Sequence, residues 1–129
     1  MKLEQVLGTW RLVSFEIEDP NGGISPWGQN THGLLIYAES GFMSVSINKD
    51  IEASSDGEAN DILDSVLFYA GTYFIDGDVI RHQVTEASNP KRIGKEMIRY
   101  TSLENEILTL TTPVESFGRA ILAWKRVAL

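Results

Sequence analysis

The residues that could do chemistry gather around one histidine. His82 lies in the second half of FYAGTYFIDGDVIRHQVTE, residues 68–86. Tyr73, Phe74 and Ile75 are strand formers, as are Val79, Ile80 and Val84. Asp76-Gly77-Asp78 between them offers the positive φ that a tight hairpin needs. Alternation then sets Ile80, His82 and Val84 on one face and Val79, Arg81, Gln83 and Thr85 on the other. Arg81 and Gln83 belong in water, so His82 points inward. Two roles suit an inward histidine. It can be a core residue with both ring nitrogens paired. It can also be a polar handle in a cavity, able to donate, accept or exchange a proton.

Other polar groups fall on or beside inward faces: Tyr37, Tyr69, Tyr73, Arg99 and Tyr100. With Trp27 and His82 they form the candidate ligand-binding set, and His82 is also the candidate catalytic residue. In a catalytic site His82 would be the general acid or base, with a tyrosine or Arg99 stabilising a developing oxyanion. Arg99 shares a face with Met97 and Thr101, while Ile98 and Tyr100 take the other. It is either an exterior arginine on a wet face or an inward one that needs a carboxylate, because an unpaired buried charge is costly. Glu16, with the parity of Trp10, is a candidate partner.

Several chemistries lack sequence support. No G-x-S-x-G elbow, Walker loop or G-x-G-x-x-G is present. The two histidines stand far apart, with no H-x-H or H-E-x-x-H pair, so neither a metal site nor a cofactor is expected. Asp76-Gly77-Asp78 is read as a turn and not as a cation site. The formal charge of −7 argues against a nucleic-acid partner, which needs a basic stripe. No basic amphipathic helix suggests a membrane surface, and no apolar run approaches the ~20 residues of a spanning helix. The absence of cysteine excludes disulfides and thiol catalysis. With no signal peptide in MKLEQVLGTW, it leads to an expectation of a cytoplasmic location.

The elements that must position these residues follow from turns and alternation. The chain has 129 residues, enough for one domain with a real core. Leu3, Val6 and Leu7 suit a short helical turn. A first strand runs from Gly8 to about Glu18, with Trp10, Leu12 and Ser14 on one face and Arg11, Val13, Phe15 and Ile17 on the other. Asp19 to Thr31 is a turn-rich loop. Trp27 within it is either folded back onto a barrel rim or a lid aromatic over a cavity mouth. Strands are expected over His32–Ala38 and Phe42–Asn48. Ser55-x-x-Glu58 resembles a capping box, and Ala59, Ile62, Leu63, Val66 and Leu67 keep helical spacing, so a helix is expected over Glu58–Leu67. After the central hairpin come a loop over Ala87–Ile93 and strands over Lys95–Leu103, Glu106–Thr112 and Arg119–Val127. About eight short sequential strands with one helix fit an all-β, antiparallel up-and-down barrel, wide enough for one small ligand.

At this point the chain resembles a known group. Gly8-Thr9-Trp10 opening the first strand looks like the G-x-W signature of lipocalins. Arg126, just after Trp124, is placed like the basic residue that packs on that tryptophan and closes the barrel. The pieces Gly8–Ser14, Gly33–Tyr37, Gly41–Ser44, Tyr69–Tyr73, His82, Arg99, Leu108–Leu110 and Leu122–Arg126 make it similar to the small bacterial and fungal lipocalin-like domain family, a calycin-type barrel. One departure is Arg92-Ile93-Gly94, where relatives often carry an aromatic before the glycine. The resemblance implies the fold more specifically than the activity.

Three functions are carried forward. The first is a barrel that binds a small, mostly apolar molecule bearing a carbonyl or carboxylate. The second is a cofactor-independent isomerase or cyclase working by acid–base catalysis, as some lipocalin-like barrels of natural-product pathways do. The third is a solidly packed interaction protein, with Val13 and Phe15 on outer faces as a homodimer patch.

Overall fold

The alternating stretches pair with their sequence neighbours, and the last returns to the first. In the computed structural model, which describes residues 1–51 and 65–129, the strands are β1 (Gly8–Glu18), β2 (Ile24–Pro26), β3 (His32–Tyr37), β4 (Phe42–Asn48), β5 (Val66–Asp76), β6 (Val79–Ala87), β7 (Glu96–Glu104), β8 (Ile107–Thr111) and β9 (Arg119–Ala128). The sheet order is β2-β1-β3-β4-β5-β6-β7-β8-β9, and β1 also pairs with β9. Eight strands therefore close into an antiparallel barrel, and the short β2 hangs on the outer half of β1. Closure leaves no free edge along the wall.

One end is plugged. The helical turn α1 (Leu3–Val6) brings a fully buried Val6 under the barrel. The Trp10 indole Nε1 donates to the Val6 carbonyl at 2.9 Å. The Arg126 guanidinium lies 4.5 Å above the Trp10 ring and donates to the Gln5 carbonyl at 2.5 Å. Arg126 thus packs on Trp10, across the β1–β9 seam, and not on Trp124 of its own strand. The other end carries the loops after β1, β6 and β8, including a 3₁₀ turn at Pro90–Arg92.

Three expectations need correction. The β1–β9 pairing shifts register between Leu12 and Ser14. That bulge reverses the alternation. Phe15 is buried and Ile17 packs against the core, on the same side as Trp10 and Leu12. Phe15 is therefore no part of an outer dimer patch, although Val13 is 58% exposed. Glu16 loses the parity of Trp10 for the same reason, and among the described residues it makes no ion pair with Arg99. The helix expected over Glu58–Leu67 falls mainly outside the described residues, and its last two positions, Val66 and Leu67, belong to β5. There the sheet ladder with Asn48 and Ile47 prevails over helical spacing.

Candidate functional site

His82 is 1% exposed, on the inward face of β6 with Ile80 and Val84. Two tyrosines hold its ring. The Tyr37 hydroxyl lies 2.6 Å from Nε2, and the Tyr69 hydroxyl lies 2.6 Å from Nδ1. Tyr37 comes from β3 and Tyr69 from β5. Gly71 makes the second contact feasible. It lies on the inward face between Tyr69 and Tyr73, at a register shift of the β5–β6 ladder. A Cβ there would stand 1.8 Å from the Gln83 carbonyl oxygen, so only glycine permits this close strand approach.

Burial keeps the trio neutral. Desolvation, and then the positive charge of Arg99, pull the His82 pKa down to about 3. Desolvation raises the Tyr37 hydroxyl well above its ordinary value. The Tyr69 hydroxyl is also raised by burial, a rise opposed by Arg99 beside it.

The direction of both bonds follows the tautomer of His82. The neutral trio carries three polar protons, one on each hydroxyl and one on the ring, and makes two bonds. One proton is left over. Tyr37 is 1% exposed, and its hydroxyl has no other partner among the described residues. Tyr69, in contrast, lines the cavity. In the Nδ1–H tautomer, Tyr37 donates to Nε2, the Nδ1–H donates to Tyr69, and Tyr69, which also meets Arg99, turns its own proton to the cavity, so both hydroxyls are served.

That cavity occupies about 640 Å³ at the open end of the barrel. Leu35, Val45, Ile47, Leu110 and Leu122 make much of its wall apolar. Arg99 lines it too, which settles its face as inward. Its Nη1 donates to the Ile98 carbonyl at 2.8 Å, and no carboxylate pairs with it among the described residues. Lys91, Arg92 and Lys95 add cations to the lining. Glu96, one of two acids there, is engaged by Arg81 Nη1 at 2.6 Å and by Gln83. A positive mouth in a chain of net charge −7 is a local feature that composition conceals.

The other candidates divide. Trp27 lines the cavity and stacks on Phe15 with ring centroids 4.6 Å apart and planes 8° apart. Its backbone N–H donates to the Phe15 carbonyl at 2.9 Å, and Lys49 Nζ sits 4.2 Å over its ring. It is thus folded onto the rim. Tyr73 is buried beside Tyr37, with centroids 4.7 Å apart, and donates to the Ala38 carbonyl at 2.8 Å. Tyr37 and Tyr73 stand behind His82 and off the cavity wall. Tyr100 is corrected outright: it is 50% exposed on the outer face of β7, because the alternation that turns Arg99 inward turns Tyr100 out. Sequence reasoning missed Phe15, hidden by the bulge, and Trp124, which lines the cavity with its indole N–H unpaired among the described residues. No group of three metal-ligating side chains occurs among the described residues, and no helix among them is long and apolar enough to cross a membrane.

The family model for a lipocalin-like domain matches residues 7–127. The chain belongs to the lipocalin-like domain family. That span runs from the start of β1 to the last residues of β9, so the family's fold is the whole barrel. A comparison with curated proteins finds no match. Among solved structures, a point mutant of the fluorescent protein UnaG is similar at 15% identity and a TM-score of 0.48, covering 98% of this chain and 99% of that one. The Echinococcus granulosus fatty-acid-binding protein 1 is similar at 15% identity and a TM-score of 0.48, covering 98% of this chain and 100% of that one. Likeness at this level carries no information about the ligand of this lipocalin-like chain.

Proposed function

We propose that this lipocalin-like barrel binds a small, mostly apolar molecule whose carbonyl or carboxylate meets Arg99 and Tyr69. The observation that carries this reading is a cationic side chain without a carboxylate among the described residues, beside the Tyr69 hydroxyl, on the wall of a cavity with an apolar interior and a charged mouth. Apolar walls would remove the body of the ligand from water, and two or three placed polar groups would fix its end. Arg99 favours an anion, since a hydrogen bond to a charged group contributes about 1.5–3 kcal/mol.

His82 in this reading is a positioning residue. Both ring nitrogens are occupied, and its proton affinity is too low for a base near neutral pH. The isomerase or cyclase alternative would need the His82 proton to pass through Tyr69, because both ring nitrogens are occupied.

Titration with dodecanoate and with dodecanol, followed by tryptophan fluorescence, tests the proposal. The carboxylate is expected to bind at least tenfold tighter, and Arg99→Leu is expected to abolish the difference. Failure of both probes to bind, or equal binding by the unaltered protein, would count against it. Native mass spectrometry of freshly purified protein would then identify the natural occupant.

A further inference from the structure

We propose that Arg92 is a second anion-recognition residue beside Arg99 and Tyr69, so that the ligand is an apolar diacid with both carboxylates at one end. The inference rests on the cavity being the binding site and names the ligand class more narrowly.

Arg92 and Arg99 both line the cavity, and neither meets a carboxylate among the described residues. The strand register puts them on either side of Tyr69. Tyr69 stands opposite Ala87, the last residue of β6, and Arg92 lies on the 3₁₀ turn that follows β6. Arg99 lies deeper, on β7 opposite Ile80. The Tyr69 side chain, which reaches His82, therefore runs between a mouth arginine and an inner one. Its hydroxyl responds to both. The rise in its pKa on burial is opposed by the charge of Arg99 and then by that of Arg92.

The backbone holds the mouth arginine in place. The Asn89 side chain accepts from the Lys91 N–H at 3.0 Å, and the Arg92 N–H donates to the Asn89 carbonyl at 3.0 Å. The Lys95 N–H donates to the Arg92 carbonyl at 3.0 Å, and Pro90 fixes φ at the start of the turn. The acids of the lining leave both arginines uncompensated. Glu96 is engaged by Arg81 and Gln83, and Glu115, on the loop after β8, makes no ion pair among the described residues. A ligand that fills the cavity displaces water from both guanidinium groups. A cation taken from water without an anion is costly. One carboxylate serves one arginine and leaves that cost on the other. A second carboxylate removes it. Both arginines flank one hydroxyl, so both acids belong to the same end of the ligand.

The test uses dodecanoate, dodecanedioate, decylmalonate, decylsuccinate and decylglutarate at about pH 8, where every carboxyl is ionised. The last three walk the spacing between two acids at one end. The monomethyl ester of each keeps the skeleton and removes one charge. At least one of the three is expected to bind about tenfold tighter than dodecanoate and than its own monoester, as a charge-assisted hydrogen bond provides. Dodecanedioate, with its acids at opposite ends, should show no such gain. Arg92→Gln should erase the gain. Lys91→Gln, which removes an exposed charge from the same turn, should keep most of it. Binding of dodecanoate with no gain from any of the three diacids overturns the inference and leaves the proposed function standing. So does a gain matched by the monoester or by dodecanedioate, one that persists in Arg92→Gln, or one lost as fully in Lys91→Gln. The comparison of diacid with monoester needs only the unaltered protein, so it decides the matter even where Arg92→Gln fails to fold. Binding of no acid at all overturns the proposed function and this inference together.

Discussion

The plugged end and the open cavity of this barrel use the same residue types for opposite ends. Below, Trp10 gives its N–H to Val6, and Arg126 lies on the Trp10 ring and donates to Gln5. Above, Trp124 has no acceptor and Arg99 no carboxylate among the described residues. Residue type therefore does not separate structure from function here. What separates them is what lies beside the group: Arg126, although its Nε is also without a partner among the described residues, covers the Trp10 ring in the plug, whereas Arg99 lines the cavity.

The sharpest way to break the contrast is to damage the plugged end. Trp10→Ala should lower unfolding free energy by about 3–5 kcal/mol, the usual cost of deleting a large buried aromatic. Trp124→Phe should cost far less, since it keeps an aromatic ring and removes an N–H that had no partner. Urea denaturation compares them directly. Equal losses in the two variants would mean that the cavity wall bears the fold as heavily as the plug does.

Acid sharpens the contrast next, because His82 lies between the two regions. Its folded pKa of about 3 is below the ordinary value of 6.5. A histidine depressed in this way stays neutral in the fold while the unfolded chain takes up a proton. Its contribution is thus intact above pH 6.5 and is lost as pH falls from there towards 3. The slope is about 1.4 kcal/mol per pH unit, or about 2 kcal/mol by pH 5. His82→Gln keeps a donor and an acceptor but cannot titrate. The unaltered protein should lose stability relative to His82→Gln across that window, by denaturant titration at several pH values. Parallel curves would show that the ring is not held neutral by burial.

Much of the barrel was legible because alternation and turns are local. The hairpin at Asp76–Asp78 and the inward face of His82 follow from a few neighbouring residues. The two errors of facing have one kind of cause. A bulge between Leu12 and Ser14 adds a residue to the count, and every side chain after it changes sides, so Phe15 and Glu16 exchange places. Strand parity at Arg99 and Tyr100 was clear, but which face is inward depends on β6 and β8 beside them. The helix expectation at Val66 and Leu67 failed because spacing alone cannot weigh a ladder formed with β4, which lies far off in sequence. The tyrosine clamp on His82 combines three strands. Its members could be named from the sequence, but their order of donation could not.

That order makes the smallest and most discriminating prediction. Tyr37 and Tyr69 bond the same ring at the same 2.6 Å distance, and a view of His82 as the centre of a symmetrical core trio would make their losses equal. The Nδ1–H tautomer makes them unequal. Tyr37→Phe strips Nε2 of its donor and leaves a buried acceptor bare, at a cost of about 1–3 kcal/mol in stability. The hydroxyl of Tyr69 and the Arg99 side chain stay in the cavity, so dodecanoate binding to the folded Tyr37→Phe protein should change less than about threefold. Tyr69→Phe also removes a ring partner, yet the lost hydroxyl is the one that faces the ligand. Its stability cost should be matched by about a tenfold loss of dodecanoate affinity. Arg99 cannot compensate fully, because its charge attracts an anion without fixing the oxygen that the hydroxyl proton would have bound. A Tyr37→Phe variant that binds as poorly as Tyr69→Phe would reverse the direction of donation and place the free proton at the plug.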